Sequence, residues 1–171
     1  MSNMQFLIRE LRGEKTQEQF AEKIGVSRET LSRYETGRID VPITVLKKIS
    51  EELDNPEFNM RLQSEFFGTG PVYLDGPNVD LHRSAVKEKT LEELEEAISS
   101  LKDTCLSKPL KNFQPFEIQK LRTSLEELVE ASTAILQLTA VLCSEAGISY
   151  KDLWTDHYLD LESQGYIGGM R

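Results

Sequence analysis

The 171-residue sequence has little cysteine, a single tryptophan and no long apolar run. Its two cysteines, Cys105 and Cys143, lack C-x-x-C spacing and fit a reducing compartment better than a secreted disulfide scaffold. No stretch approaches the ~20 apolar residues of a transmembrane helix, and residues 1–12 lack the apolar core of a secretory signal. We therefore expect a cytoplasmic protein without a membrane segment.

Positive charge is also scarce, with 20 Lys and Arg against 29 Asp and Glu and a net charge of −9. This balance is unusual for a DNA-binding protein, whose surface is normally basic. Residues 1–53, however, carry nine Lys and Arg and nine Asp and Glu, so the whole net charge lies in residues 54–171. Because residues 1–53 carry no net charge, the sequence favours a protein that binds specific DNA sites over one that coats DNA nonspecifically.

The most informative stretch is Thr16–Gly37, with the sequence TQEQFAEKIGVSRETLSRYETG. Apolar residues at helical spacing predict a short helix that ends at Gly25, and Ser27 can cap a second helix. In that helix we expect Leu31 and Tyr34 to face inward. A helix-turn-helix has this layout, and the polar side of its second helix enters the DNA major groove. The residues on the polar side are Arg28, Glu29, Ser32 and Arg33.

The segments TQEQFA, GVS and SRYETG resemble the Cro/CI (XRE-like) helix-turn-helix family of phage and bacterial regulators, and the resemblance covers roughly residues 4–53. It implies an N-terminal five-helix, lambda-repressor-like DNA-binding domain. It also implies a structural ion pair between Arg12 and Glu35. The more basic stretch that related repressors carry after the recognition helix is replaced here by IDVPI.

Two sets of DNA contacts are predicted, against the alternative that these side chains are merely solvated. Arginine can donate two hydrogen bonds to guanine, glutamate can accept one from cytosine, and a threonine methyl can touch thymine. The predicted base contacts are Arg28, Glu29, Thr30 and Arg33. The resemblance implies phosphate contacts by Gln17, Thr36 and Arg38, and a helix N-terminus can offer backbone amides to phosphate. The predicted phosphate contacts are Gln17, Ser27, Ser32, Thr36 and Arg38, and Arg33 is an alternative member of this set.

The rest of the chain is also predicted to be helical, so the expected fold class is all-α. Glycine and proline in residues 69–79 predict a linker. Residues 80–171 are predicted to form a helical hairpin or bundle that dimerises. The expected domains are therefore residues 1–68, which bind DNA, the linker at 69–79, and the dimerisation domain at 80–171.

Large apolar residues in 80–105 and 116–146 recur at alternating intervals of three and four, which is typical of a coiled-coil seam. Two such helices should form an antiparallel hairpin. A two-helix hairpin buries little apolar surface by itself. The apolar residues that it leaves exposed should therefore pack against a second copy of the chain in a four-helix bundle. The predicted dimer seam comprises Leu94, Ile98, Leu101, Leu121, Leu125, Leu128, Ile135 and Leu142.

These features predict a transcriptional regulator, most simply a repressor, that binds an inverted-repeat operator in double-stranded DNA as a homodimer. A small-molecule or protein effector is left open. The aromatic residues Tyr150, Trp154 and Tyr158, with Tyr166 as a further candidate, either line its pocket or cover the end of the bundle. The alternative function is an antitoxin-like protein whose helical half binds a partner protein.

No catalysis, metal site or cofactor is expected. The spacing of His82, His157, Cys105 and Cys143 matches no ligand motif, and a di-metal scaffold needs Glu-x-x-His on paired helices, which is absent. The acidic runs EELEEA and LEELVEA are attributed to solvated helix faces. The two cysteines are interpreted as small apolar residues rather than as a thiol sensor.

Overall fold

The computed structural model describes residues 4–168, and within that range the protein is helical without β-strands, which confirms the all-α fold class. The first five helices are α1 (Met4–Arg12), α2 (Gln17–Ile24), α3 (Arg28–Glu35), α4 (Ile43–Leu53) and α5 (Pro56–Phe67). The next two are α6 (Arg83–Asp103) and α7 (Pro115–Ala146), with a 3₁₀ turn at Leu110–Asn112 between them. The last helix is α8 (Tyr150–Ser163).

The short N-terminal helices begin and end where the local chemistry favours it. Thr16 accepts a hydrogen bond from the backbone N–H of Gln19, and the Gln19 side chain accepts one from the N–H of Thr16, so α2 starts with a capping box. Gly25 ends α2 with a φ of 69°, in the left-handed region that favours glycine. Asn55 caps α5 by accepting from the N–H of Phe58 at 2.8 Å.

A single hydrophobic core joins these five helices. Its largest members are almost completely removed from solvent: Ile8, Phe20, Ile24, Leu31, Leu46, Ile49 and Phe58. Burying one such side chain contributes about 1.5–3 kcal/mol to stability. The region therefore has a core of its own, as a lambda-repressor-like domain requires.

Backbone contacts divide the chain into two compact units, which differ from the predicted domains in two places. One unit joins the N-terminal part up to Gly68 with the C-terminal part from Gly147, and the other runs from Thr69 to Ala146. In the first unit the backbone N–H of Lys151 donates to the Asp54 carboxylate at 2.7 Å, which ties the start of α8 to the end of α4. The segment after α7 thus groups with the first five helices and not with the predicted dimerisation domain.

The segment predicted to be a linker packs on the second unit. The buried amide of Gln137 in α7 accepts from the N–H of Leu74 at 2.9 Å and donates to the carbonyl of Leu74 at 3.2 Å. A cavity of about 360 Å³ lies beside this contact, with Val79, Val86 and Ala134 among its lining residues. Residues 69–79 therefore lie within the second unit as a packed segment.

Helices α6 and α7 form an antiparallel hairpin whose interior consists of small and polar side chains. The Thr90 hydroxyl donates to the carbonyl of Ala134 at 3.1 Å, and the hydroxyls of Ser100 and Ser124 lie 2.8 Å apart. The buried residues of the two helices are Val86, Thr90, Glu93 and Ala97 on α6, and Ser124, Ala131, Ala134, Gln137, Ala140, Val141 and Cys143 on α7.

Most of the large apolar residues of the predicted dimer seam lie outside this interior. Leu91 and Ile98 are exposed, and each stands one residue after a buried residue, Thr90 or Ala97. A step of one residue turns an α-helix by about 100°. The row of large apolar residues is thus conspicuous in the sequence, whereas the adjacent row of mostly smaller side chains fills the hairpin interior.

Because α6 and α7 run in opposite directions, the same one-residue shift turns both seams toward one side of the hairpin. Leu91 and Leu94 of α6 accordingly line a groove of about 500 Å³ together with Leu138 and Leu142 of α7. We call this side the apolar face. Its members are Leu91, Leu94, Ile98, Leu101, Ile118, Leu121, Leu125, Leu128, Ile135 and Leu142, of which Leu94 and Leu121 are half-buried and the others exposed.

Among the helices of residues 4–168, α7 alone is long and apolar enough to cross a membrane, judged by length and composition. Only 33% of its most apolar stretch is buried inside the protein. A packed helix of a soluble protein passes the same criterion, so this feature is weak support for a membrane segment.

Candidate nucleic-acid interface

The second helix of the helix-turn-helix, α3, is fixed at its start by its own cap. The Ser27 side chain accepts from the backbone N–H of Thr30 at 3.1 Å, and the hydroxyls of the two residues lie 2.9 Å apart. Ser27 is exposed and Thr30 half-buried. Both hydroxyls and the Thr30 N–H are therefore engaged in the cap, which leaves the Thr30 methyl and the backbone N–H groups of Arg28 and Glu29 available to a ligand.

The buried side of α3 determines which residues face outward. Leu31 and Tyr34 are buried in the core of the first unit. At 100° per residue, this orientation turns Arg28, Glu29 and Arg33 away from the core, and all three are exposed. Nothing in residues 4–168 forms a side-chain hydrogen bond or ion pair with any of the three. The α3 surface thus presents two guanidinium groups and one carboxylate that are not held by the protein itself.

Arg12 and Glu35, expected to pair, are in contact. The Nε of Arg12 donates to Oε1 of Glu35 at 2.7 Å, and the Glu35 side chain is only 4% exposed. A second Arg12 nitrogen donates to the carbonyl of Lys15 at 2.7 Å. The pair connects α1 to the end of α3, and a carboxylate so deeply buried requires such donors.

Gln17 joins the same network, which the sequence did not predict. Its Nε2 donates to Oε2 of Glu35 at 2.7 Å, so both carboxylate oxygens of Glu35 have a donor. Only the tertiary fold brings α2 to the end of α3, and no local pattern signals this bond. Gln17 is half-buried at the first position of α2, where the backbone N–H groups at a helix start can also face an anion.

The remaining predicted phosphate contacts follow α3 or lie on it. The Thr36 hydroxyl donates to the carbonyl of Ser32 at 2.7 Å, and Ser32 is half-buried. Arg38 is exposed, and its side chain makes no hydrogen bond or ion pair within the described part of the chain. Arg38 is therefore the member of this set that is best placed to reach a phosphate as a free cation.

The aromatic residues proposed as an effector pocket lie along α8. The rings of Trp154 and Tyr158 are 5.7 Å apart between centroids, and Trp154 meets Tyr150 edge to face at 6.2 Å. Tyr150 is buried and Trp154 half-buried. The cavity beside Gln137 is lined by other residues, so the two features are separate.

Comparison with known proteins identifies one family match. The family described as Helix-turn-helix matches residues 8–57, from within α1 to the start of α5. The match includes Arg12, Gln17, Glu35 and the whole of α3. No curated protein and no solved structure matches the chain significantly.

Proposed function

Because the N-terminal portion of this chain belongs to the Cro/CI-type helix-turn-helix family, we propose that the protein is a sequence-specific transcriptional repressor that binds an inverted-repeat operator as a homodimer. The family supports a DNA-binding regulator of the XRE type and a location in the cytoplasm or nucleoid. The repressor role, the operator and the dimer are the parts that we propose.

The observation that carries the proposal is the free polar side of α3. Arg28, Glu29 and Arg33 are exposed, and their side chains have no partner within residues 4–168, on a helix whose other side is fixed in a hydrophobic core. Such a helix can enter the major groove without first breaking internal contacts. We propose that Arg28 and Arg33 donate to guanine, that Glu29 accepts from cytosine, and that the Thr30 methyl contacts thymine.

Phosphate contacts would set the position of α3 in the groove. We assign them to Gln17, Ser27, Ser32, Thr36 and Arg38. Gln17 donates one Nε2 hydrogen to Glu35 and would contribute the second. The hydroxyl and the backbone N–H of Thr36 both donate to the carbonyl of Ser32, so Thr36 would have to exchange one of these bonds for a phosphate oxygen. Arg38 would contribute its charge. Since residues 1–53 are neutral overall, affinity for random DNA should be modest, and base contacts should account for much of the affinity for the operator.

The apolar face of the hairpin supports the dimer. Eight of its ten members are exposed large aliphatic residues, among them Ile98, Leu125 and Ile135, and a monomeric protein rarely leaves so large a patch in water. The seams of α6 and α7 have coiled-coil spacing and lie on one side, so two hairpins can pack face to face as a four-helix bundle. Two recognition helices would then read half-sites about 10 base pairs apart, or a multiple of that.

The same face also favours the alternative function, an antitoxin-like protein that covers it with a partner protein. Sedimentation of the purified full-length chain distinguishes the two. A stable dimer supports pairing with a second copy, whereas a monomer or an aggregating chain supports a missing partner.

The base-reading role is tested with Arg28→Ala. The operator is first identified by selecting binding sites from random duplexes with the full-length protein. The substitution should then weaken specific binding by roughly 1–3 kcal/mol without loss of helical structure by circular dichroism. Arg122→Ala is the matched control, because it removes the same charge from an exposed position of α7.

The control should bind the operator as tightly as the unchanged protein. If Arg28→Ala binds equally well, Arg28 does not read a base. If both variants lose affinity equally, only overall charge matters and specific readout by α3 is refuted. Transcription from a promoter that carries the selected site should fall when the protein is present, and a rise would indicate an activator.

A further inference from the structure

Three carboxylates from the two acidic runs meet across the hairpin. One oxygen from each of Glu93 on α6 and Glu127 and Glu130 on α7 lies within 4.8 Å of the other two. The interpretation of these runs as solvated helix faces is therefore wrong for Glu93, which is only 8% exposed. It occupies the interior row, between Thr90 and Ala97.

Two buried oxygens in this group have no hydrogen-bond donor in the described part of the chain. Oε2 of Glu93 and Oε2 of Glu127 are removed from solvent, and neither accepts a hydrogen bond. The other oxygen of Glu93 accepts the Lys89 ammonium at 2.9 Å, and Lys89 also pairs with Glu92 at 3.1 Å. One side of Glu93 is thus neutralised, whereas the side that faces α7 presents an unpaired carboxylate oxygen in a poorly solvated position, which is costly.

Nearby charges increase this cost. Glu127 is half-buried and lies among the carboxylates of Glu130, Glu96, Glu93 and Glu126. The nearby guanidinium of Arg122 does not neutralise this group, because it pairs with Glu126 at 2.9 Å. The small residues Ala97 and Ala131 are buried between the two helices beside this group.

We propose that the hairpin binds one hard divalent cation, of the class of Mg²⁺, Mn²⁺ or Ca²⁺, through Glu93, Glu127 and Glu130. Carboxylate oxygens are the ligands that these ions prefer. Oxygens bound to one such ion at about 2.0–2.6 Å lie no more than about 5 Å from each other, which agrees with the spacing of this group. Water would complete the coordination on the side of Glu130, which is exposed.

The proposed ion would connect the middle of α6 to the middle of α7. Because an ion bound only by the folded chain stabilises it by mass action, the melting temperature should rise as the cation is added. The proposal is independent of DNA binding, since all three ligands lie on the hairpin and none on the first five helices.

The test uses the full-length chain after treatment with a chelator, with Mn²⁺ as the probe. Electron paramagnetic resonance of free Mn²⁺ during a titration should reveal one saturable site per chain, from which Mg²⁺ or Ca²⁺ displaces the probe. Glu127→Gln and Glu130→Gln should each lower the affinity at least tenfold, since even indirect disturbance of a metal site costs about 10–100-fold.

Glu95→Gln is the matched control, because it removes the same charge from an exposed position of α6 and should leave the Mn²⁺ affinity unchanged. Absence of saturable binding to the unchanged protein would overturn the proposal, and so would an equal loss of affinity in all three variants. If Glu127→Gln fails to fold, Glu130→Gln decides, because its exposed side chain is not needed for the hairpin interior.

Discussion

The two compact units of this protein are both helical but bury opposite kinds of side chain. In the first, large residues such as Phe20 and Phe58 are completely buried, and polar residues such as Arg28 face water. In the second, Ser124 and Ala131 fill the contact between α6 and α7, whereas Leu125 and Ile135 face water. The hairpin therefore exposes the residues that the N-terminal helices use as a core.

This difference indicates which unit buries enough apolar surface to be stable by itself. Small side chains bring helices close together but remove little apolar surface from water, so the hairpin interior contributes little hydrophobic stabilisation. The polar contacts of Thr90 with Ala134 and of Ser100 with Ser124 specify the alignment of the two helices more than they drive their association. The hydrophobic core of the first unit supplies its driving force for folding. The second unit should gain most of its hydrophobic stabilisation only when the apolar face is covered.

The largest effect is expected from Phe58→Ala in the core of the first unit. Phe58 is 0% exposed, and replacing a buried phenylalanine by alanine costs about 3–5 kcal/mol through lost burial and the cavity left behind. Urea denaturation followed by circular dichroism measures the loss. Phe67→Ala in the same helix is the control, since Phe67 is 75% exposed and should change stability by no more than about 0.5 kcal/mol. Equal effects of the two variants would refute the description of this core.

The sequence predicted the first five helices well because their signals are local. Ser27 marks a helix start, Gly25 marks an end, and the apolar spacing of α2 and α3 identifies the buried side. The Arg12–Glu35 contact was expected only through the family resemblance. The bond from Gln17 to Glu35 depends on the approach of α2 to α3, which no spacing along one helix encodes.

For the hairpin, the sequence predicted the helices but not which side of them is buried. Two rows with the same spacing run along each helix, one residue apart, and the row with Leu125 is conspicuous while the row with Ser124 is not. Hydrophobic periodicity cannot rank a small polar row above a large apolar one. The burial of Glu93 and the grouping of α8 with the first five helices through Asp54 likewise depend on tertiary contacts.

A smaller effect is expected from Leu125→Ala on the apolar face. Leu125 is 53% exposed in the single chain, so the substitution should leave the stability of a dilute monomer nearly unchanged. In a dimer that covers the face, it should cost roughly 1–2 kcal/mol of association, measured by sedimentation over a range of concentrations. Leu110→Ala is the control, because Leu110 has the same 53% exposure but lies in the 3₁₀ turn. An unchanged dimer in both variants would remove Leu125 from the dimer interface.

The smallest effect is expected at the start of α7, where polar contacts take the place of apolar burial. The carboxylate of Glu117 accepts from the backbone N–H of Gln114 at 2.7 Å and from the Lys108 ammonium at 2.6 Å. These contacts, the backbone bond foremost, lower the pKa of Glu117 below its ordinary value. A carboxyl whose pKa is lower in the folded state stabilises the fold above its unfolded pKa, and this contribution is lost as the pH falls through the lowered value.

Glu117→Gln should therefore lower the melting temperature slightly at neutral pH and have no effect in strong acid, where the unchanged protein has lost the same charge. Glu126→Gln is the control, because its pair with Arg122 is exposed on both sides and such pairs contribute little. If the two variants behave alike at neutral pH, the start of α7 does not depend on this contact. The stability of the hairpin would then depend on its buried interior and on covering the apolar face, which would make the contrast with the first unit still sharper.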